Sequence, residues 1–149
     1  MPPGEYIPDP TEGISRPEDL PKPRVRLRSR NFGHRPCPLC GRSAYRYDVG
    51  RRTLHDLGEL QSGRPLDLSV IYSKHRCDAC RRRFCADLSD LADPGGRYSR
   101  RVVALAVRLA VEDGMPYRTA SWHLWRDHRV FVPYATLPNR VEAAGGKSG

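Results

Sequence analysis

The chain has 149 residues, of which 26 are Lys or Arg and 17 are Asp or Glu, giving a formal charge of +9. That length suits one ordinary domain or two small ones, and a hydrophobic fraction of 38% with 14 prolines and 13 glycines puts each piece in the range where a metal staple supplements packing. The longest apolar run, Val102 to Val107, is far too short to span a bilayer and Met1-Pro2-Pro3-Gly4 does not open a secretory signal, so no membrane partner is expected.

Half of the prolines fall within the first 23 residues, among charges of both signs, and this stretch is expected to be disordered or extended. Between Lys22 and Arg46 there are eight basic residues and no acidic one. Arg24, Arg26, Arg28 and Arg30 alternate with Val25, Leu27 and Ser29, so an extended backbone places the four guanidinium groups on one side. Residues 1–33 therefore read as a disordered basic arm for a phosphate backbone or a minor groove, with a solvated edge strand as the alternative.

Residues 34–92 carry two CxxC pairs, Cys37 with Cys40 in CPLCG and Cys77 with Cys80 in CDAC. A CxxC turn points two thiolates at one ion while nearby amides stabilise the sulfurs, and two such turns close a tetrahedral site, so one structural Zn2+ is expected. Paired cysteines also indicate a reducing compartment, and a thiol oxidoreductase is the distant rival. Ala44 to Val49, Arg52 to Leu57 and Leu66 to Tyr72 have strand patterns, with turn chemistry at Gln61 to Pro65. This is a zinc ribbon with a long insert. Cys85 is expected to be a small buried hydrophobe, or else an alternative ligand, and His34 and His75 to lie around the site or at the surface. Arg81, Arg82 and Arg83 radiate from the second knuckle as a phosphate clamp or a solvated charge run. Asp87, Asp90 and Asp93 are too close in sequence for a two-metal catalytic centre and are expected to solvate a turn. The chain carries no P-loop, GxSxG elbow, HExxH helix or Cys-His nucleophile pair, so no enzyme is expected.

Asp93-Pro94-Gly95-Gly96 is a breaker cluster taken as a domain boundary, and three helices are predicted over residues 97–144. Val102, Leu105, Ala106, Leu109 and Ala110 keep helical spacing between a Ser99 cap and Gly114. The second helix runs from Pro116 to about Asp127, with Ala120, Leu124 and Tyr117 inward and Arg118, Trp122 and Arg126 on the other face. Trp125, Phe131 and Tyr134 are the expected aromatic core, Arg126 and Asp127 are expected exposed, and base stacking is a further reading of Trp122. A short third helix covers roughly Tyr134 to Ala143, and residues 145–149 form a flexible tail. Pro138 is tolerated if Thr136 is the cap, leaving a stub with Asn139, Arg140 and Glu142 to read bases. The expected fold class is a small α+β chain: an antiparallel zinc ribbon, then a three-helix helix-turn-helix domain, behind a disordered basic arm.

CPLCG from Cys37, RRTLHDL from Arg51 and CDACRRRF from Cys77, followed by YSRRVVALAVRLAVEDGMPYRTASWHLWRDHRVFVPYATLPNRV from Tyr98, resemble the N-terminal zinc ribbon and helix-turn-helix of ISL-type bacterial insertion-sequence transposases. The resemblance runs from about His34 to Val141. It implies a cytoplasmic, nucleoid-associated protein that binds double-stranded DNA, with a catalytic transposase subunit or a second copy as protein partner. In that family an RNase H-like catalytic domain follows, so this chain is expected to bind DNA without cutting it. The expected DNA contacts are Arg24, Arg26, Arg28, Arg30, Arg81, Arg82, Arg83, Arg118, Asn139 and Arg140. A zinc-ribbon module for RNA or for protein docking is the alternative.

Overall fold

The computed structural model describes residues 8–144. Five strands form a single mixed sheet: β1 (Arg24–Arg30), β2 (His34–Pro36), β3 (Ser43–Glu59), β4 (Arg64–Arg76) and β5 (Arg83–Cys85). Three helices follow: α1 (Arg100–Val107), which continues as a π-helical turn over Arg108–Glu112, α2 (Tyr117–His128) and α3 (Leu137–Ala144).

The antiparallel β3–β4 hairpin is the axis of the molecule. It pairs from Tyr45 with Arg76 to Glu59 with Arg64, interrupted between Arg46 and Asp48 and between Asp56 and Glu59. The two strands expected on either side of Gly50 are one strand, because Gly50 lies opposite Tyr72 and the tyrosine ring occupies the space a Cβ would need. An aromatic laid over a strand glycine restores packing that the glycine alone cannot provide. The other edge of β4 is shared by β1, parallel along Leu66–Tyr72, and β5, antiparallel along Lys74–Arg76. At the metal end β2 pairs with β3.

The expected fold class is overturned on two counts. First, the basic arm is not disordered: Arg24–Arg30 is a sheet strand, in parallel register with β4 that local sequence does not encode. The proline-rich stretch before it also has a built conformation. Pro10 and Pro17 open short 3₁₀ turns, Pro8 and Ile14 are buried, and Asp9 and Glu12 form ion pairs with Arg126 and Arg129 of the α2 end. Residues 1–7 and the tail at 145–149 lie outside the described residues.

Second, the helices are not a helix-turn-helix unit appended to a ribbon. They pack against the far end of β3 and share a core with it. Tyr98, Val102, Ala106, Leu109, Ala120, Leu124, Val130, Val132 and Leu137 form that core, with Leu57 of β3 packed against it. The predicted Ser99 cap is present, its hydroxyl accepting from the Val102 amide at 3.4 Å. The same hydroxyl donates to the buried Asp56 carboxylate of β3 at 2.6 Å, which ties the α1 N-terminus to the sheet. Residues 93–96 are likewise held to β3 by Arg52, which donates to the carbonyls of Asp93, at 2.9 Å, and Gly96.

Sheet and helices meet closely at Gly58. A Cβ there would lie 2.6 Å from the Arg129 Cβ and 2.7 Å from the carbonyl oxygens of Arg129 and Arg64. Arg129 itself ends α2 in the left-handed region, at φ 49°. Trp125 is fully buried under the Arg129 guanidinium, 4.8 Å from the ring centre, whereas Phe131 and Tyr134 of the expected aromatic core are only half-buried.

Gly58→Ala is expected to cost about 1–3 kcal/mol by forcing β3 away from the α2 end, read as a lowered Tm; an unchanged Tm would mean that the junction yields without cost. Asp9 gives a pH signature. The bidentate Arg126 guanidinium, opposed by burial and assisted by Thr11, lowers its carboxyl from 3.8 to about 2. A depressed folded-state value stabilises above the unfolded one, so this contribution is present above about pH 4 and lost as pH falls towards 2. With Arg126 half-exposed, the Asp9→Asn penalty is expected to be about 1 kcal/mol at neutral pH and to vanish near pH 2 by acid-dependent denaturant melts.

Candidate metal centre and its basic surround

The two CxxC turns lie at one end of the hairpin, and their four sulfurs all fall within 4.8 Å of one another. Each turn follows from local backbone geometry. The Cys37 amide donates to the Arg42 carbonyl at 2.8 Å and the Cys77 amide to the Arg82 carbonyl at 2.9 Å, so the knuckles are two copies of one turn. The residue after each second cysteine is left-handed: Gly41 at φ 75° and Arg81 at φ 59°. Glycine adopts that conformation freely, whereas arginine carries a steric cost there of about 1 kcal/mol or more.

Cys37 Sγ is 3.4 Å from Cys80 Sγ, and Cys40 Sγ is 3.4 Å from Cys77 Sγ. These are too long for disulfides, which need about 2.05 Å. An ion about 2.3 Å from each of four tetrahedral sulfurs implies sulfur–sulfur edges of about 3.8 Å, which the arrangement brackets. Electrostatics agree with the geometry. The Cys40 and Leu39 amides lower the Cys37 thiol from 9.0 to about 6, against some opposing burial. The Cys80 amide leads the lowering at Cys77. At Cys80 the Arg82 amide pulls downward, but the neighbouring Cys37 and Cys77 sulfurs and burial prevail and push it to about 11; Cys40 is raised in the same way. Four crowded sulfurs cannot all ionise on their own, and a divalent cation would permit it. The chain is thus built to hold one metal ion on Cys37, Cys40, Cys77 and Cys80.

His75 is the support that sequence reasoning left undefined. It is fully buried, its Nδ1 is 3.1 Å from the Ala44 carbonyl, its Nε2 is 2.6 Å from the Ser73 hydroxyl, and its ring stacks on Phe84 at 5.4 Å. If Nδ1 carries the proton and donates to Ala44, Nε2 accepts from Ser73, which fixes the strands that bear the two knuckles. His34 is exposed on β2. Cys85 is exposed on β5, not buried, because β5 alternation turns the half-buried Phe84 inward instead.

The predicted DNA-contact residues separate into groups. Arg81, Arg82 and Arg83 are exposed beside the metal knuckle, and Arg83 lies over the Tyr47 ring at 5.4 Å. Arg24 and Arg30 are engaged with Glu59 and Asp90, the latter at 2.8 Å, while Arg26 and Arg28 are exposed and form no ion pair among the described residues. Arg118, Asn139 and Arg140 belong to the helical end. Arg118 covers Tyr134 at 4.9 Å, Asn139 is exposed, and Arg140 is half-buried over Tyr98 at 5.7 Å. The structure does not bring these three together with the knuckle arginines. Of the acidic trio, Asp87 caps the Ser89 amide, Asp90 engages Arg30 and Asp93 engages Arg100, so they anchor charge as well as solvate a turn.

Cys37→Ser or Cys80→Ser is expected to release the ion and melt the knuckles, whereas Cys85→Ser keeps one ion per chain by elemental analysis; full metal retention in Cys37→Ser would exclude the four-sulfur site. Neither protein-family models, curated proteins nor solved structures match this chain.

Proposed function

We propose that the chain is a zinc-dependent binding module for duplex DNA whose contact surface is the metal-held end of the sheet. Zinc is the ion that a closed set of four thiolates with tetrahedral spacing suits best. The observation that carries the reading is a segregation of charge. Residues 31–47 and 74–84, which build the metal end, contain eight basic side chains and one carboxylate, Asp78. Arg35, Arg42, Arg46, Arg76, Arg81, Arg82 and Arg83 form no ion pair among the described residues. At the helical end, by contrast, five of eight arginines, Arg100, Arg101, Arg108, Arg126 and Arg129, have a carboxylate partner, and Arg97, Arg118 and Arg140 form no ion pair among the described residues.

Solvated guanidinium groups fanned from a rigid metal turn suit a phosphate backbone, since each neutralised phosphate releases counterions. Arg81 strengthens the reading. Glycine would serve the knuckle backbone with less strain, so an arginine without an ion pair at a left-handed position supports a role for its side chain outside the chain. Two rings within this surround, the exposed Tyr47 under Arg83 and the half-buried Phe32 under Arg35 at 4.1 Å, add flat surface for sugar or base contact. This assignment departs from the resemblance to ISL-type transposases in one respect: the ribbon tip, not the third helix, is the principal contact. Under that resemblance a separate catalytic subunit would perform any strand cutting.

Arg82→Ala with Arg83→Ala is expected to reduce the slope of log K against log salt by about 2 on random duplex DNA, with zinc content unchanged. An unchanged slope would remove the knuckle from the interface, and tighter binding to structured RNA than to duplex of equal length would favour an RNA module instead.

A further inference from the structure

At the opposite end of the hairpin from the metal, a cavity of about 650 Å³ is lined by Arg24, Arg26, Arg64 and Arg101 around Leu57, Gly58 and Leu66. Its charge is only partly compensated. Arg24 engages Glu59, and Arg101 reaches the buried Asp56 at 3.5 Å while remaining 64% exposed. Arg64 is oriented by backbone alone, its Nε donating to the Lys22 carbonyl at 2.9 Å and its Nη2 to the Pro23 carbonyl at 3.3 Å. Arg26 has no ion pair among the described residues. A guanidinium held by carbonyl oxygens, as that of Arg64 is, keeps its full charge and its remaining N–H donors for an anion.

A row of arginines on β1 runs from this cavity towards the metal end: Arg26 and Arg28 are exposed without an ion pair among the described residues, and Arg30 is held by Asp90. The parallel register sets Arg24 beside Leu66, Arg26 beside Leu68, Arg28 beside Val70 and Arg30 beside Tyr72, so these arginines share one face of the sheet. On β4 the same face carries Leu68 and Val70, buried with Ala92, and then Lys74, which reaches Asp48 at 3.9 Å, and Arg76 next to Cys77. The length of β4 fixes the spacing. Its 13 residues from Arg64 to Arg76, at about 3.3 Å each, separate cavity and knuckle by about 40 Å before twist shortens the strand. One turn of B-DNA is about 34–36 Å.

We infer that the Arg26, Arg64 and Arg101 cavity is a second phosphate-binding site, and that the chain lies along a duplex with the cavity and the metal knuckle on phosphates one helical turn apart. This rests on the duplex-DNA reading above and adds its footprint. A duplex shorter than a turn can engage one site at a time, whereas a longer one engages both and gains from the effective concentration of the second contact.

The test is fluorescence anisotropy of the full zinc-loaded chain with labelled random duplexes of 8, 12, 16 and 20 base pairs over a range of salt. Affinity is expected to rise more than tenfold between 8 and 16 base pairs and to level off beyond. The triple variant Arg26→Gln, Arg64→Gln, Arg101→Gln should lose that rise, with a salt slope on 20 base pairs flatter by about 2 to 3. Because Arg101 also touches Asp56, Arg26→Gln alone serves as the variant that keeps every ion pair of the fold, and it should flatten the slope by about 1. Wild-type slope and length dependence in both variants would overturn the second site. If the knuckle variant still weakens binding in that case, the duplex-DNA reading stands without this footprint; if the wild-type chain binds no duplex of any length, both fail.

Discussion

The continuous pairing of β3 with β4 is the constraint on which the rest of this molecule depends. One end of that ladder carries the strands bearing all four sulfurs, the middle packs Leu54, Leu68 and Val70 under Ala92, and the other end presents Leu57, Gly58 and Asp56 to the helices. A chain with so little apolar material cannot build two independent cores cheaply. Here three modest clusters are strung on one hydrogen-bonded scaffold, and each closes with a different chemistry: metal-directed thiols, aliphatic packing, and a helical core capped by a buried carboxylate.

The scaffold also sorts charge. Carboxylates are spent on arginines of the helices and of the sheet's distal corner, through Asp9, Glu12, Asp56, Glu59, Asp90 and Asp93. Around the knuckles only Lys74 is so engaged, by Asp48 at 3.9 Å, and Asp78 is the single acid of residues 31–47 and 74–84. A surplus of +9 spread evenly would serve solubility; concentrated at a rigid tip and along one strand it produces a directed field.

What could be read in the sequence was what is encoded locally. Two CxxC turns, the Ser99 cap, the helical spacing from Val102 to Leu109 and the left-handed Gly114 depend on residues close in the chain, and each appears where expected. Failures came from partners far apart. Nothing in PKPRVRLRSR specifies a parallel strand against Leu66–Tyr72, and nothing around Asp9 announces Arg126, which lies 117 residues away. Gly50 reads as a break until Tyr72 is known to lie across it. The helix-turn-helix expectation failed for a related reason: periodicity reports an apolar face but not what covers it, and here part of the cover is Leu57 of the sheet. His75 stands two residues before Cys77 in the sequence, yet only the fold shows it bridging Ser73 and Ala44.

Three clusters on one ladder also mean that stability need not be uniform along the molecule. The knuckle cluster is the smallest, with Cys37, Ala44 and Cys77 as its buried members and Phe84 beside them, so its cohesion rests mostly on the ion. The helical cluster has nine buried members and no sulfur ligand. Taking the ion away would therefore fray the hairpin from its tip rather than collapse the chain, and amide exchange would quicken first around Ala44 and Ser73 while Leu54 and Leu124 stay protected. Since the knuckle arginines sit on the fraying portion, metal supply would act on that part of the basic surface as a dial, grading how much of it is held in shape while the remainder of the fold persists.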